Sequence, residues 1–326
     1  MARHIFLHIG HPKTGSSALQ TAFARGALQL ADAGLVYLFH RANRRAEVGT
    51  VTSGNIDLRT DWLWEQVAKR SREVSDIQAT LFSSEVIYPQ IPNRLSELAE
   101  LNAQTPVTII LCVRDPFETV QSQYQQAVKN GGETRGIDKF SESENNITIA
   151  AAIARGCESH GIGLHLVNYG LHKRNLLLKV LEPVGLDPSV IDQMTAAIST
   201  GTINRSLTLA EHAFVREANR QIGRRAGIAI SGALIHELPD VRADKIALSD
   251  ASLKHLEERL KPDLEVVNTY LGPEEQLTFG GDSHASKTRS DLGLGLSAEQ
   301  SAVIIGAIKR FFAPKPTVGA RRSRRK

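Results

Sequence analysis

The sequence predicts an α/β fold in which helices flank a central parallel sheet, with further helices toward the C-terminus. Short apolar runs alternate with segments of helical periodicity in the first half of the chain, as in sheets built from strand–helix–strand units. The run VTIILCV at 107–113 is nearly all apolar, which is typical of a strand buried on both faces. A chain of 326 residues with 41% hydrophobic content can bury one large core.

We therefore expect one domain over 1–315 that is mostly helical from 207 onward, and a basic, disordered tail over 316–326. The apolar runs that we assign to strands are, in chain order, 5–9, 35–39, 79–83, 107–113 and 163–168. The segments with apolar residues at three- and four-residue spacing, which we assign to helices, are 18–33, 61–74, 92–103, the stretch from Pro116, 147–160, 171–184, 208–226, 250–271 and 297–312. Two segments without periodicity, 40–56 and 125–146, are predicted loops, and we expect the second to form part of the acceptor site.

The turn after the first strand, HPKTGSS at 11–17, has the composition of a phosphate cradle. It opens a helix, whose first N–H groups and dipole favour negative charge. Gly15 lets the backbone approach a ligand, and Lys13 adds a positive charge. Three hydroxyl groups add donors: Thr14, Ser16 and Ser17. Serine and threonine also cap ordinary helices, so the turn by itself leaves a plain strand-to-helix connection open.

A second group of polar residues follows the strand at 107–113. Arg114 stands at the carboxyl end of that strand, where open α/β sheets bind ligands. Ser122 comes eight positions later, about two turns along the helix that Pro116 begins, and could share an anion with Arg114. The turn at 11–17 and the pair Arg114 and Ser122 are therefore two candidate anion-binding groups.

These motifs resemble those of the sulfotransferases that use 3′-phosphoadenosine 5′-phosphosulfate (PAPS). The loop at 12–17 is similar to the family's 5′-phosphosulfate loop, and Arg114 with Ser122 and Tyr124 is similar to its 3′-phosphate motif. The similarity to bacterial, carbohydrate-type members, which includes Ser83-Ser84-Glu85, extends loosely to about residue 205. It implies a P-loop NTPase-like three-layer sandwich, PAPS as the donor, no metal, and a small-molecule or glycan acceptor, such as a carbohydrate or glycolipid.

The resemblance also implies roles for individual residues. Lys13 would stabilise the charge that develops on the bridging oxygen as the nucleotide leaves. The 5′-phosphate would be held by the loop backbone and by Thr14, Gly15, Ser16 and Ser17. The 3′-phosphate would be held by Arg114 and Ser122.

Glu85 is the predicted catalytic base, because it follows the strand at 79–83 and would face the same crevice as Lys13. Carbohydrate-acting sulfotransferases commonly use a glutamate in this role, and Ser83-Ser84-Glu85 looks similarly placed. Glu85 could instead cap a helix or pair with a basic residue. His11 is the second candidate base, whereas His8 alternates into the first strand and is predicted to be a core residue.

Charge and composition limit the partners. The net charge is +4, and residues 321–326 contribute +5, so that the rest of the chain carries 4 − 5 = −1 and is not a basic nucleic-acid binder. The tail is a candidate for contact with an anionic membrane surface. Two cysteines, Cys112 and Cys157, predict core thiols and no disulfide framework. With neither a secretory leader nor a membrane-spanning run, the protein is expected to be cytoplasmic.

Two other functions remain open at the level of sequence. A small-molecule kinase would need G-x-x-x-x-G-K-[ST] and an acidic residue that holds Mg²⁺ after a strand. Here Lys13 precedes Gly15, and Arg114 occupies the end of the strand. A non-catalytic protein that retains the nucleotide pocket is the second alternative. There is no HExxH motif or Cys/His cluster that would predict a metal site.

Overall fold

The computed structural model describes residues 3–38, 40, 43–47, 54–56, 63–73, 79–198, 205–280 and 295–313. The basic tail predicted at 316–326 lies outside these ranges. In chain order, the strands are β1 His4–Gly10, β2 Leu35–Tyr37, β3 Ala79–Ser83, β4 Val107–Val113 and β5 Gly163–Asn168. The helices are α1 Ser16–Arg25, α2 Ala27–Asp32, α3 Asn43–Glu47, α4 Leu63–Arg72, α5 Leu95–Gln104, α6 Pro116–Gln126, α7 Ile137–Ser141, α8 Asn146–Ser159, α9 Tyr169–His172, α10 Leu176–Leu181, α11 Pro188–Ile198, α12 Leu209–Gln221, α13 Arg224–Glu237, α14 Asp250–Asn268 and α15 Ala298–Phe312.

The fold is α/β with an all-parallel sheet, as predicted. The five strands lie in the order β2-β3-β1-β4-β5, and every adjacent pair is parallel. β1 is central, with Ile5 opposite Thr80 on one side and Val107 on the other. Because the strands are parallel, their carboxyl ends share one edge, and the connections after β1, β3 and β4 all start there. The sheet therefore brings the two predicted phosphate motifs and Glu85 to one edge.

The described residues form two compact units. The first comprises Met1–Gln123, Ile137–Thr202 and Ala247–Thr288 and contains the whole sheet, and the second comprises Tyr124–Gly136, Ile203–Ile246 and Arg289–Lys326. The second unit contains α12, α13 and α15. A division by compactness does not decide whether each unit folds alone, so the single domain over 1–315 stays a prediction.

The centre of the sheet contains a buried histidine and a buried thiol. His8 is fully buried, and its Nδ1 shares a 2.8 Å hydrogen bond with Ser83 Oγ. Cys112 Sγ lies 4.0 Å from the other ring nitrogen of His8. Burial lowers the pKa of His8 to about 4, because a charged imidazolium there would lose its water. The prediction of His8 as a core residue is confirmed.

Both cysteines are free and buried, as the sequence predicted. Burial raises the pKa of the Cys112 and Cys157 thiols to about 12, since the interior disfavours the thiolate.

Several predicted elements are wrong. The single helix predicted at 18–33 is two helices, because the chain breaks at Gly26. A Cβ at Gly26 would lie 2.7 Å from the Met194 side chain, so that α11 packs directly on the break. The predicted loop at 40–56 contains α3. The predicted helix at 171–184 consists of two short helices and a 3₁₀ turn, namely α9, α10 and Glu182–Val184.

Other segments are also more helical than predicted. In place of a loop at 125–146, the chain forms the end of α6, a π-helical turn at Ala127–Gly131 and the short helix α7. The helix predicted at 208–226 is broken at Gly223, whose φ of 112° suits glycine, and α13 then continues to Glu237. α11 corresponds to no predicted element.

Buried hydrogen bonds of Asn55 fix the chain where β3 ends. Asn55 Nδ2 donates to the carbonyl oxygens of Leu81 (3.1 Å) and Leu38 (3.2 Å), and Asn55 Oδ1 accepts from the N–H of Ser83 (2.8 Å). Gly54 has a φ of 94°, and a Cβ there would lie 1.7 Å from the Ser83 carbonyl oxygen. This close approach holds the turn that carries Glu85.

Candidate active site

The loop between β1 and α1 is tightly curved and strained. Lys13 has a φ of 70° and is the only non-glycine residue with positive φ in the described part of the chain. Gly15 is also left-handed, with a φ of 81°. Between them, the Thr14 hydroxyl donates to the His11 carbonyl oxygen at 2.5 Å. Left-handed backbone is costly for a residue with a side chain and is found mainly at functional sites.

The first turn of α1 has no side-chain cap. Gly15 occupies the cap position, and its carbonyl oxygen accepts from the N–H of Leu19 (3.1 Å). A glycine cap leaves the first N–H groups of the helix to be satisfied by solvent or a ligand. This is the backbone arrangement that the anion-binding prediction requires.

Arg114 links the two predicted phosphate motifs. Its Nη1 donates to the Lys13 carbonyl oxygen (3.1 Å), so the strand β4 and the loop after β1 are joined by one hydrogen bond. Its Nε and Nη2 lie 3.0 Å from Glu118 Oε2. The guanidinium also stacks over the Tyr169 ring, 5.4 Å from its centroid. Arg114 is therefore held in place from three directions.

Glu85 lies close enough to Lys13 and Ser16 for both to affect its pKa. A Cβ at Gly10 would lie 1.9 Å from Ser16 Oγ and 3.6 Å from Glu85 Cβ, so a glycine is needed where β1 ends. Burial raises the pKa of Glu85, although nearby Lys13 and Ser16 oppose the rise. Burial lowers the pKa of Lys13, with nearby Arg114 adding to the effect and Glu85 opposing it.

His11 lies in the same loop but is buried. Its Nδ1 lies 2.8 Å from the Pro12 carbonyl oxygen, and because a carbonyl only accepts, Nδ1 carries the hydrogen and Nε2 has the lone pair. Burial lowers the pKa of His11 to about 4, the Pro12 hydrogen bond opposes this, and Arg114 adds to it. A buried, weakly basic nitrogen is a poorer proton acceptor than the half-buried Glu85 carboxylate.

Ser122 lies on α6, and it is half-buried. It is four residues beyond Glu118, which is itself four residues beyond Arg114, so that Glu118 and Ser122 share one face of the helix. Tyr124, two residues further, is buried, and its hydroxyl donates to the Arg135 carbonyl oxygen at 2.8 Å. That contact suits packing rather than ligand binding.

Two charged residues at this edge were missed by the sequence analysis, Glu118 and Lys173. Lys173 Nζ lies 3.3 Å from Glu118 Oε2 and 5.6 Å from the centroid of the Tyr169 ring. Burial alone would raise the pKa of Glu118, but Arg114 and Lys173 outweigh it and hold the pKa below its usual value. The i, i+4 spacing of Arg114 and Glu118 could have indicated their pair, whereas nothing in the sequence signals the contact with Lys173.

Asp115 fixes the start of α6 behind Arg114. Its Oδ1 accepts from the N–H of Glu118, and its Oδ2 accepts from the N–H of Gly280, both at 2.8 Å. Burial raises the pKa of Asp115, against the effect of these hydrogen bonds. The carboxylate thus accepts hydrogen bonds from the backbone of two segments.

Three buried polar atoms near the loop have no hydrogen-bond partner among the residues that the structure describes: His11 Nε2, Ser16 Oγ and Ser84 Oγ. The Ser16 hydroxyl lies close enough to Glu85 to lower the pKa of that carboxyl, but the two groups do not meet the geometric criteria for a hydrogen bond. Buried polar groups are nearly always paired in folded proteins. Unpaired atoms beside Lys13, Arg114 and a helix N-terminus fit a site that is completed by a polar, anionic ligand.

Within the described ranges, no group of three or more His, Cys, Asp or Glu side chains is placed to hold a metal ion. None of the helices in those ranges has the length and apolar character needed to cross a membrane.

No family model matches the chain, and no curated protein matches it. Its fold is similar to that of a sulfotransferase from Alicyclobacillus acidocaldarius, with 13% identity, 82% of this chain and 96% of that chain covered, and a TM-score of 0.40. It is also similar to retinol dehydratase solved in complex with androsterone and inactive cofactor PAP, with 12% identity, 80% of each chain covered, and a TM-score of 0.36.

Proposed function

We propose that this protein is a sulfotransferase that moves a sulfuryl group from PAPS to a hydroxyl of a carbohydrate or glycolipid. The observation that carries the proposal is the 3.1 Å hydrogen bond from Arg114 Nη1 to the Lys13 carbonyl oxygen. This contact supports the proposal because it joins Arg114, which could bind one phosphate, to the loop that could bind the other. A nucleotide with phosphates on both its 3′ and 5′ positions matches this pair of sites better than ATP does.

The donor would be held by the residues that the sequence indicated, with one addition. The loop N–H groups with Thr14, Gly15, Ser16 and Ser17 would bind the 5′-phosphate, and Arg114 with Ser122 would bind the 3′-phosphate. Lys173 adds a second cation next to Arg114, because both contact Glu118. Arg114 and Lys173 together carry two positive charges against the one negative charge of Glu118, so a net positive charge remains to attract a dianionic phosphate.

The proposed reaction is an in-line transfer at sulfur. The acceptor oxygen forms a bond to sulfur while the bond from sulfur to the bridging phosphate oxygen breaks, and its electron pair leaves with adenosine 3′,5′-bisphosphate. Lys13 stabilises the negative charge that grows on the bridging oxygen. Glu85 takes the proton from the acceptor hydroxyl. A raised pKa makes Glu85 a stronger base than an ordinary surface carboxylate.

A thermal-shift comparison tests the donor. A ligand that binds only the folded protein adds about 2.7 kcal/mol of stability at about 100 times its dissociation constant. We expect adenosine 3′,5′-bisphosphate to raise the midpoint, and AMP to raise it far less at the same concentration. Stabilisation by ATP–Mg²⁺ instead would favour the kinase alternative, and binding of the bisphosphate without transfer to any acceptor in a panel would favour a non-catalytic protein.

Glu85→Gln tests the base. We expect turnover to fall by about 10²- to 10⁴-fold, because the amide cannot accept the proton, while the affinity for adenosine 3′,5′-bisphosphate stays the same or rises. In the wild type, kcat/KM should fall as the pH drops through the raised pKa of Glu85, since protonation removes the base. Isothermal titration and pH–rate profiles measure both effects.

The matched control is Glu97→Gln, which changes an exposed glutamate on α5 and should leave turnover unchanged. A Glu85→Gln enzyme with normal turnover would transfer the role of base to another group. His11→Gln would then be the variant to measure.

A further inference from the structure

The last helix of the second unit exposes some of its large apolar side chains and buries others. Ile304 and Ala307 are buried, which accounts for the packing of α15 within its unit. Large apolar side chains are nevertheless exposed on the same helix: Ile305 is 53% exposed, Phe311 36% and Phe312 62%. An ordinary surface helix carries polar residues on its solvent side, so this surface departs from the usual pattern.

The two phenylalanines at the end of α15 lie side by side. Their ring centroids are 5.1 Å apart, and the rings are nearly perpendicular. Neighbouring Lys309 is exposed, and Arg310 pairs with Glu237 at 2.6 Å. The end of α15 therefore combines adjacent exposed aromatic rings with basic side chains.

The sequence around this helix end is strongly basic. Residues 300–326 contain no acidic residue and eight basic ones, which are Lys309, Arg310, Lys315, Arg321, Arg322, Arg324, Arg325 and Lys326. With a net charge of +4 for the whole chain, residues 1–299 carry 4 − 8 = −4. The positive charge is thus concentrated in the stretch that also exposes Ile305, Phe311 and Phe312.

We propose that the C-terminal end of α15 binds an anionic membrane surface. Phe311 and Phe312 would enter the interface between headgroups and acyl chains, and the basic residues would contact the lipid phosphates. Interfacial helices combine apolar and basic side chains in this way, and stable attachment generally needs both contributions. The proposal is independent of the reaction assigned to the first unit.

Other occupants fit this surface less well. A second copy would bring one stretch of eight positive charges against another, and like charges oppose such contact. A nucleic acid would match the charge, but phosphate contacts do not account for an exposed aliphatic residue such as Ile305. A lipid surface accounts for the charge and for the apolar side chains together.

Vesicle flotation with the full chain tests the proposal. We expect the protein to float with phosphatidylcholine vesicles that contain about a third phosphatidylglycerol and not with phosphatidylcholine alone. Binding should decrease as salt rises from about 0.1 to about 0.5 M. The variant F311S/F312S should bind at least about tenfold more weakly, and R321Q/R322Q/R324Q/R325Q should also lose binding.

The matched control is L28S, which removes an isolated leucine of the first unit that is 79% exposed. It should bind like the wild type. Equal binding by F311S/F312S and the wild type would overturn the proposal, as would concentration-dependent self-association that these substitutions abolish without any vesicle binding. Binding to a labelled RNA oligonucleotide that persists in F311S/F312S, with no vesicle binding by the wild type, would also overturn it.

Discussion

Replacing Lys13 with glycine should lower turnover about 10²- to 10³-fold and leave the protein at least as stable as the wild type. Under the proposed function, turnover falls because the variant lacks the cation that would stabilise the departing bridging oxygen. Stability is kept because glycine adopts a φ of 70° without steric cost, whereas lysine does not. Burial, which lowers the pKa of Lys13, also disfavours its charged form in the folded protein. Rates of transfer from radiolabelled PAPS and thermal midpoints measure the two effects.

Two further lysine variants separate charge from backbone strain. Lys13→Met removes the charge but keeps the strained φ, so it should lose turnover as the glycine variant does and melt at a lower temperature than that variant. Lys69→Met changes an exposed lysine of α4 and should alter neither property. Near-normal turnover in Lys13→Gly would contradict the role assigned to Lys13.

Arg114→Ala should abolish the preference for a nucleotide that carries a 3′-phosphate. We expect its affinity for adenosine 3′,5′-bisphosphate to fall about 100-fold or more, since the proposed charge-assisted contact of Arg114 with the 3′-phosphate would be lost. The affinity for AMP should fall much less. A smaller loss common to both ligands is expected, because the Lys13 carbonyl oxygen also loses its hydrogen bond from Arg114. Isothermal titration with both nucleotides measures the ratio.

The ratio is the informative quantity, because it cancels general damage to the loop. Arg114→Lys keeps a positive charge without the planar fork and should recover only part of the preference. Lys173→Ala should reduce the preference by a smaller factor than Arg114→Ala, since Lys173 is the more exposed of the two cations. An Arg114→Ala protein that still prefers the bisphosphate to the wild-type extent would refute the assignment of the 3′-phosphate site.

The sheet could be predicted from the sequence because each strand is a short apolar run that is bounded by polar or turn residues. The breaks within the predicted helices could not be predicted from the sequence. Gly26 lies within a periodic apolar pattern, and the side chain that packs against it belongs to Met194, far along the chain. α13 contains Gly227, where a Cβ would lie 1.8 Å from Asn219 Oδ1. Because glycine has a low helix propensity, the local sequence predicts a helix here only weakly, although the packing requires the glycine.

In the candidate site too, some features follow from the local sequence, and others depend on tertiary contacts. The loop at 11–17 and the arginine after β4 follow from local pattern, and the parallel sheet brings them together. The choice between Glu85 and His11 depends on burial, which the sequence did not reveal. The Glu118 contact with Lys173 joins α6 to the segment after α9 and has no local signal.

The reactivity of the two buried thiols can be used to measure opening motions of the protein. Cys112 lies on β4, which pairs with the central strand β1, two residues before Arg114, and Cys157 lies on α8. With a pKa of about 12 and no access to solvent, neither thiol reacts with an alkylating reagent in the closed state. Alkylation therefore requires the sheet or its covering helix to open, and its rate reports the population of open states. Protection of Cys112 by a nucleotide would measure ligand binding at the carboxyl edge of the sheet without a label, an acceptor or a turnover assay.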